Sequence, residues 1–286
     1  MSGDLDKALD ILTGAGIGKE DARFDIGLIY SFFGDDEKLF DEAVKKRADG
    51  MPVAYITGVQ AFYKEEYKVT PDVLIPRADT ELLVESALRF LGALNFPMGD
   101  VSKVPESDKT LTSPHILDLC TGTGCVGISV LNSLLEKYPS AEAVLSDVSD
   151  AALKVAGENV ESACARPENV KVMTLDVLKD EIPEGEFDVI TANPPYIDKA
   201  DMEAIDPQVG TYEPHLALAG GDDGMIFYPH ICFIARKCLK EGGALIVEHG
   251  YNQGERVFQT LIDQGFNNVK VLKDFGGNDR VTFGIK

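Results

Sequence analysis

The chain has 286 residues, of which 44% are hydrophobic and 26% charged, a composition typical of a globular protein with one large and one small domain. Its 48 acidic residues outnumber its 27 basic ones, and the net charge of −21 disfavours a protein held to nucleic-acid phosphates by a basic face. It contains no run of about 18 apolar residues, so no membrane span is expected.

Residues 1–75 are predicted to form a small N-terminal unit. Up to about residue 50, apolar residues recur at helical spacing, as Leu5, Leu9 and Leu12 do, with glycine-containing breaks between helices. Beyond that point the pieces AYITGVQAFY and EEYKVTPDVLIPRADTE are predicted to be extended and indicate a hairpin. We expect this helical unit and its hairpin to be joined to a second domain, residues 76–286.

In that second domain, strand and helix patterns alternate. A helix is expected at 80–91 with Thr80 as its cap, and then a surface loop at 92–113. Strands are predicted at 115–120, 142–147, 170–176, 187–192, 243–249, 268–274 and 280–285. Helices are predicted between most of them, notably at 125–137, 150–163, 223–240 and 253–264. This pattern is typical of a doubly wound, mostly parallel α/β sheet, with the last two strands antiparallel because no crossover helix fits between them.

The chain start and the cysteines both favour the cytoplasm. The N-terminal sequence MSGDLDKALD lacks the apolar core of an export signal. Five cysteines without a C-x-x-C pair favour neither a disulfide framework nor a zinc site, and the four histidines show no ligand spacing. We therefore expect a cytoplasmic protein with a metal-free site.

The segment DLCTGTGCVG, residues 118–127, follows the first strand of the second domain and opens a helix. It matches the G-x-G-x-x-G pattern of dinucleotide-binding loops through Gly122, Gly124 and Gly127. Asp147 ends the next strand, where an acid can accept both ribose hydroxyls, and Asp176 ends the third, where it can face an adenine amine. A tight turn, a helix cap and a solvated strand end are the structural alternatives. Because NAD and S-adenosylmethionine both carry a ribose and an adenine, these residues do not decide between them.

The segment TANPPYI, residues 191–197, ends a strand with an asparagine and two prolines. Two prolines stop a sheet ladder and stiffen the backbone. The Asn193 side-chain oxygen and the Pro194 carbonyl can each accept a hydrogen bond from one NH₂ group, and Tyr196 can stack on it. Holding a planar nitrogen beside an electrophile is what methyl transfer from a sulfonium requires. The pattern leaves adenine, guanine and glutamine open as acceptors, and a simple strand terminator is the structural alternative.

Further motifs are PVAYITG (52–58), VLIPRADTE (73–81), ILDLCTGTG (116–124), NPPYI (193–197), YEPHLALAGGDDGM (212–225), EHG (248–250) and DRVTFG (279–284). In these motifs, and over nearly its whole length, the chain resembles the PrmC/HemK family, the peptide chain release factor glutamine N(5)-methyltransferases. The resemblance implies a seven-stranded Rossmann-like methyltransferase domain, S-adenosyl-L-methionine as cofactor, and a small N-terminal domain with a hairpin that docks the substrate. It implies release factors as partners, with no direct nucleic acid and no membrane.

The resemblance also implies roles for particular residues. Cofactor contacts are expected from Cys120, Thr121, Gly122, Thr123, Gly124, Asp147, Asp176, Val177 and Asn193. The catalytic segment that shapes the glutamine pocket is expected to be Asn193, Pro194, Pro195 and Tyr196. Arg77, Thr80 and Glu81 would brace the site, although a domain-linking salt bridge fits Arg77 and Glu81 equally well. Cys120 stands where many members have the loop's first glycine, and Ala78 stands where proline is frequent.

The main hypothesis is therefore methylation of the glutamine in the Gly-Gly-Gln motif of release factors. The nearest alternative is methylation of a glutamine in a large-subunit ribosomal protein. A DNA or RNA amino methyltransferase and a non-catalytic cofactor-binding protein are more distant alternatives, the former disfavoured by the acidic net charge.

Overall fold

The computed structural model describes residues 2–94, 96–179, 182–183 and 185–286. Its N-terminal region is helical, as the apolar spacing predicts. The helices there are α1 (Ser2–Gly14), α2 (Lys19–Phe33), α3 (Glu37–Ala48) and α4 (Val53–Thr57). The first three helices close around a small apolar core that includes Leu12, Ile29 and Val44.

A short antiparallel hairpin follows α4. Its strands are β1 (Val59–Phe62) and β2 (Glu65–Lys68). The prediction that AYITGVQAFY is extended throughout is wrong, because α4 occupies its first part and ends at Gly58 in a left-handed conformation with φ 76°. The Tyr67 hydroxyl lies 2.7 Å from the Ser129 hydroxyl of the second domain, so the hairpin is fixed to that domain.

The predicted sheet is present and has seven strands within the described residues. They are β3 (His115–Leu119), β4 (Glu142–Asp147), β5 (Val170–Thr174), β6 (Phe187–Ala192), β7 (Leu239–Glu248), β8 (Asn267–Lys273) and β9 (Asp279–Ile285). The strand order is β5-β4-β3-β6-β7-β9-β8, and of these seven strands β9 alone runs in the opposite direction, so that its pairings with β7 and β8 are both antiparallel. The predicted antiparallel pairing of the last two strands is confirmed. Every residue of β6 is buried, as expected for a central strand covered on both faces.

Helices cover both faces of this sheet. They are α5 (Glu81–Phe90), α6 (Cys125–Leu134), α7 (Asp150–Ala163), α8 (Lys199–Glu203), α9 (Pro207–Tyr212), α10 (Phe227–Cys238) and α11 (Gly254–Asp263). One apolar core contains Leu83 of α5 and Leu131 of α6, and a second contains Ile231 of α10 and Leu261 of α11. Within the described residues, no helix has both the length and the apolar character needed to cross a membrane.

Some local expectations are corrected. The sequence pattern does not predict α8 and α9, which are short and polar. Thr80 precedes α5, but its side chain makes no cap hydrogen bond, so the predicted cap is wrong. The loop at 92–113, of which residue 95 lies outside the described residues, includes a short 3₁₀ helix at Gly99–Lys103 and buries Val101, so it is not wholly a surface loop.

The linker after the hairpin packs on the second domain. Its Val69, Val73 and Ile75 form a small apolar cluster with Ala152 and Val155 of α7. This cluster holds the linker against α7. The division of the chain at residues 75 and 76 stays a prediction.

Candidate active site

The candidate site lies at the carboxyl ends of β3 and β6. These strands are parallel neighbours, with Leu119 paired to Ala192. The strand order reverses between them, because β4 and β5 lie on one side and β7 on the other. Open α/β sheets bind ligands in the crevice at such a reversal. A cavity of about 270 Å³ opens at this position.

The cavity brings together most of the residues that the sequence nominates. The nominated residues that line it are Cys120, Thr121, Gly122, Thr123, Asp147, Asp176, Val177, Asn193 and Pro195. Gly124, Pro194 and Tyr196 are not part of the lining, although each is adjacent in the chain to a residue that is. The glycine loop and the Asn-Pro-Pro segment therefore share one crevice, as expected from the parallel pairing of their strands.

The glycine loop adopts a left-handed backbone at several positions. Gly122 and Gly124 have φ values of 55° and 82°, and Cys120 also has a φ of 55°. This conformation favours glycine, which explains in physical terms why a glycine would suit position 120. A Cβ on Gly122 would meet no protein atom within 4 Å, so this residue leaves open space beside the cavity. A Cβ on Gly127 would overlap the side chain of Leu145, so that glycine permits close packing of α6 on β4.

A buried carboxylate, Asp118, holds the loop in place. Its Oδ2 accepts hydrogen bonds from the Thr121 hydroxyl at 2.5 Å and from the Gly127 N–H at 3.3 Å. Its Oδ1 accepts from the Thr191 hydroxyl on β6 at 2.7 Å. Burial raises the pKa of Asp118 to about 6, against the lowering effect of these hydrogen bonds. Asp118 was assigned no role from the sequence, although its position directly before the loop is a signal that could have identified it.

Asp147 extends from the end of β4 toward the loop. Its Oδ2 accepts from the Gly122 N–H at 2.9 Å and its Oδ1 from the Ser149 N–H at 3.0 Å. Burial raises the pKa of Asp147, while these backbone hydrogen bonds lower it. A carboxylate oxygen has two lone pairs, so each oxygen can still accept one hydrogen bond from a ligand hydroxyl. Ser149 itself caps α7 by accepting from the Ala152 N–H at 3.2 Å.

Asp176 follows β5 and serves a local turn as well as lining the cavity. Its Oδ1 accepts from the Leu178 N–H at 3.0 Å, and its Oδ2 lies 3.0 Å from the Lys179 ammonium. Val177, next to it, is buried and provides an apolar part of the cavity wall. Asp176 is therefore not a fully solvated strand-end carboxylate, because its side chain is half-buried and lines the cavity.

Asn193 is the first residue after β6. Its Nδ2 donates a hydrogen bond to the Thr80 hydroxyl oxygen at 3.3 Å. Among the described residues no hydrogen bond takes up the Asn193 side-chain oxygen, and Asn193 lines the cavity. Pro194 is buried, and in the described part of the chain no hydrogen bond takes up its carbonyl oxygen. That both acceptors face a substrate stays a prediction, since Asn193 lines the cavity and Pro194 does not.

The Tyr196 end of the segment is tightly supported. The Tyr196 carbonyl accepts from Gln253 Nε2 at 2.9 Å, and its hydroxyl donates to Glu248 Oε1 at 3.5 Å. Burial raises the pKa of Tyr196, so the phenol stays protonated. A Cβ on Gly220 or Gly224 would overlap the Tyr196 backbone, so the glycines of the GGDDG sequence permit this close packing.

The linker closes one side of the cavity. Arg77 pairs with the buried carboxylate of Glu213 and lines the cavity, whereas Glu81 accepts from the Tyr63 N–H of the hairpin at 3.0 Å and does not line it. Glu213 also accepts from the Ile75 N–H at 3.4 Å. Arg77 therefore both borders the site and ties the linker to the segment after α9, while Glu81 supports the hairpin.

Several lining residues were not nominated by the sequence. They come from the linker, from the segment after α9 and from the start of α10. These residues are Asp72, Val73, Leu74, Pro76, Pro214, Leu216, Ala217 and Phe227. Most are apolar or are prolines without a distinctive pattern. Only the fold places them opposite the glycine loop.

Comparisons with known proteins identify relatives of the chain. Residues 102–209 match the family model described as methyltransferase small domain. The chain is 36% identical over 244 residues to the release factor glutamine methyltransferase of Neisseria gonorrhoeae, a match that covers 85% of this chain and 80% of that protein. It is 34% identical over 252 residues to the release factor glutamine methyltransferase of Fusobacterium nucleatum, covering 88% of this chain and 65% of that protein. The chain thus spans about two thirds of the Fusobacterium protein.

Among solved structures, the precorrin-6y C5,15-methyltransferase of Geobacter metallireducens matches with a TM-score of 0.44 and 14% identity, covering 74% of this chain and 92% of that one. A score this low does not bear on function.

Proposed function

Because the chain belongs to the release factor glutamine methyltransferase family, we propose that it transfers a methyl group from S-adenosyl-L-methionine to the side-chain amide nitrogen of the glutamine in the Gly-Gly-Gln motif of peptide chain release factors. The observation that carries this proposal is that Asp147 and Asn193 line the same cavity. One end of that cavity suits a nucleoside, and the other offers acceptors for an amide NH₂ group.

The residues of the crevice fit the cofactor. Gly122 leaves open space where a side chain would intrude, and Asp147 keeps two acceptor lone pairs for ribose hydroxyls. Val177 supplies an apolar wall for an adenine ring, and Asp176 an acceptor for its amine. When bound, S-adenosylmethionine supplies an electrophilic methyl group on a sulfonium. Cys120, Thr121, Thr123 and Gly124 shape the turn around it, and Asn193 reaches the same cavity from β6.

The chain's own contribution to the reaction is positioning. The Asn193 side-chain oxygen and the Pro194 carbonyl would accept the two hydrogens of the substrate amide, which orients its nitrogen in the crevice. An amide nitrogen is a poor nucleophile, so orientation supplies a large part of the rate acceleration. Pro194 and Pro195 hold the backbone that carries the two acceptors rigid, because the proline ring fixes the φ dihedral angle. Tyr196 does not line the cavity; its contacts with Gln253 and Glu248 hold the end of the segment in place.

A protein glutamine is favoured over a base as the acceptor by the family and by the net charge of −21. A nucleic-acid substrate would need a basic surface to bind its phosphates. Its binding would also weaken steeply as the salt concentration rises. The proposed partners are therefore release factors, without direct contact to nucleic acid, and the proposed location is the cytoplasm.

The test uses the purified chain, cofactor labelled in the methyl group, and a full-length release factor. We expect label to enter the release factor and to be absent when the glutamine of its Gly-Gly-Gln motif is changed to alanine. Large-subunit ribosomal proteins and total RNA serve as parallel substrates. Label that persists in the alanine variant, or that enters only a ribosomal protein or nuclease-sensitive material, would overturn the proposal.

A further inference from the structure

Asn159 of α7 is a wholly buried polar residue that does not line the cavity, and the proposed mechanism gives it no role. Its side chain makes three hydrogen bonds, all with backbone groups. Its Oδ1 accepts from the Lys68 N–H of β2 at 2.7 Å, and its Nδ2 donates to the Lys68 carbonyl oxygen at 3.0 Å. Nδ2 also donates to the Thr123 carbonyl oxygen of the glycine loop at 2.9 Å. One buried amide therefore joins the hairpin to the loop that borders the cavity.

The partners of the Asn159 side chain fix the orientation of its amide. A carboxamide oxygen only accepts hydrogen bonds, whereas the NH₂ group has two hydrogens to donate. The oxygen faces an N–H group and the NH₂ group faces two carbonyl oxygens, so both hydrogens are used. A flipped amide would turn its oxygen toward two other acceptors. The observed orientation is therefore the one that satisfies all the groups around it.

The peptide group between Thr123 and Gly124 is the part of the loop that this amide holds. Gly122 and Gly124, on either side of Thr123, have φ values of 55° and 82°. Glycine restricts backbone rotation least of all residues, so the loop sequence alone does not hold this peptide group in one plane. Its N–H donates to the Thr121 carbonyl oxygen at 2.9 Å, and its carbonyl oxygen accepts from Asn159. Because Thr121 and Thr123 line the cavity, this peptide group shapes the cofactor site.

We propose that Asn159 is a positioning residue for S-adenosylmethionine, which holds the Thr123 carbonyl toward α7 and so keeps the glycine loop in the conformation that binds the cofactor. Asn159 is itself held by the hairpin, because two of its three hydrogen bonds are made with Lys68. The hairpin thereby supports the cofactor site without lining it. The inference deepens the proposed function and rests on it only for the use of this cofactor.

The chain offers a matched control in Asn132 of α6, which also makes three hydrogen bonds and also anchors the hairpin. Its Nδ2 donates to Glu65 Oε1 of β2 at 3.0 Å and to the Ala163 carbonyl oxygen at 2.9 Å. Its Oδ1 accepts from the Ala165 N–H at 2.8 Å. None of these three partners belongs to the glycine loop. Asn132→Ala therefore removes a comparable hairpin anchor and leaves the loop contact of Asn159 intact.

The first test compares stability and cofactor binding in Asn159→Ala and Asn132→Ala. Both variants should unfold at lower urea concentrations than the wild type, because each leaves three polar groups without their partner. In calorimetry with S-adenosyl-L-methionine, Asn159→Ala should raise the Kd about 10-fold or more, whereas Asn132→Ala should change it by no more than about twofold. Equal losses of affinity in the two variants would show that cofactor binding only follows stability. That result, or an unchanged Kd in Asn159→Ala, would overturn the inference.

An isosteric variant covers the case in which Asn159→Ala does not fold. Asn159→Asp keeps the shape of the side chain and an acceptor for the Lys68 N–H, but it turns an oxygen toward the Thr123 carbonyl. It should raise the cofactor Kd at least as much as Asn159→Ala. A folded Asn159→Asp protein with the Kd of the wild type would refute the positioning role.

A spectroscopic readout tests the loop contact without cofactor or substrate. Labelling with ¹³C-threonine and ¹⁵N-glycine selects the Thr-Gly pairs, which lie at 13–14, 57–58, 121–122 and 123–124. The signal of the last pair is assigned from its loss in Thr123→Ser. Its carbonyl ¹³C frequency should shift in both Asn159 variants and stay unchanged in Asn132→Ala. An unshifted signal in the Asn159 variants would refute the inference.

Failure of the proposed function would give a different result. A wild-type enzyme that binds S-adenosyl-L-methionine but does not methylate release factors would refute the proposed substrate. The comparison of Asn159→Ala with Asn132→Ala would still decide whether Asn159 positions the cofactor loop.

Discussion

Replacing Glu248 with glutamine should make the folded protein more stable above neutral pH. Burial is the main reason that the pKa of this carboxyl is raised from 4.5 to about 7. Below about pH 4.5 the carboxyl is protonated in both the folded and the unfolded chain. As the pH rises from 4.5 to about 7, the unfolded chain releases this proton and the folded chain retains it, so the free energy of unfolding falls.

The magnitude follows from the shift. One pKa unit corresponds to about 1.4 kcal/mol, so the rise from 4.5 to about 7 corresponds to about 3 kcal/mol of stability that the wild type loses by pH 8. Glutamine has nearly the same shape and does not titrate. The stability of Glu248→Gln relative to the wild type should therefore increase by about 3 kcal/mol between pH 4.5 and pH 8.

Urea unfolding at a series of pH values measures this difference. The chain contains no tryptophan, so far-UV circular dichroism is the suitable signal. Other buried carboxyls, such as Asp118 with its pKa raised to about 6, titrate in both proteins and cancel in the comparison. A stability difference that stays constant across the pH range would show that Glu248 does not titrate as the structure indicates.

Three further predictions concern the site and its packing. Asn193→Ala should lower kcat about 100-fold, because the acceptor nitrogen is no longer positioned, while the cofactor Kd measured by calorimetry should change less than about threefold. Comparable losses in turnover and in cofactor affinity would contradict the positioning role of Asn193. Asp147→Asn should weaken cofactor binding about 10- to 100-fold, since hydrogen bonds to a charged acceptor contribute about 1.5–3 kcal/mol, and an unchanged Kd would remove Asp147 from the cofactor site. Gly127→Ala should destabilise the fold by about 1–3 kcal/mol, because its Cβ would overlap Leu145. Gly157→Ala, whose Cβ would meet no atom within 4 Å, should stabilise α7 by up to about 1 kcal/mol. The midpoint temperatures of thermal unfolding of the two variants should therefore shift in opposite directions.

The strands of the sheet were predictable because their sequences are distinctive. Buried central strands such as β6 are nearly continuous apolar runs, and short loops separate them from amphipathic helices. By contrast, α8 and α9 have five and six residues and bury none of them, so they carry no apolar period to detect. The segment of α4 was misread because its valine, tyrosine, isoleucine and threonine favour strands, while tertiary packing on the N-terminal helices makes it helical.

The site was predictable where one local motif carries the chemistry. The residues of the glycine loop and of the Asn-Pro-Pro segment can be identified from the sequence of each motif alone. The parallel pairing of β3 and β6 brings the two motifs together. Thr80 could not be assigned in this way. It lies 113 residues before Asn193 in the sequence, and the two side chains meet only in the fold, where Thr80 accepts a hydrogen bond from Asn193 instead of capping α5. The left-handed conformation of Cys120 was likewise invisible in the sequence, although its place in the loop pointed to a tight turn.

Locating the transferred methyl group tests the proposed reaction most sharply. A release factor incubated with the enzyme and the cofactor is digested, and its peptides are fragmented by mass spectrometry. We expect one added methyl group, on the side-chain amide of the glutamine in the Gly-Gly-Gln motif, and none after incubation with Asn193→Ala. A methyl group on any other residue, or the same modification by the Asn193→Ala variant, would contradict it.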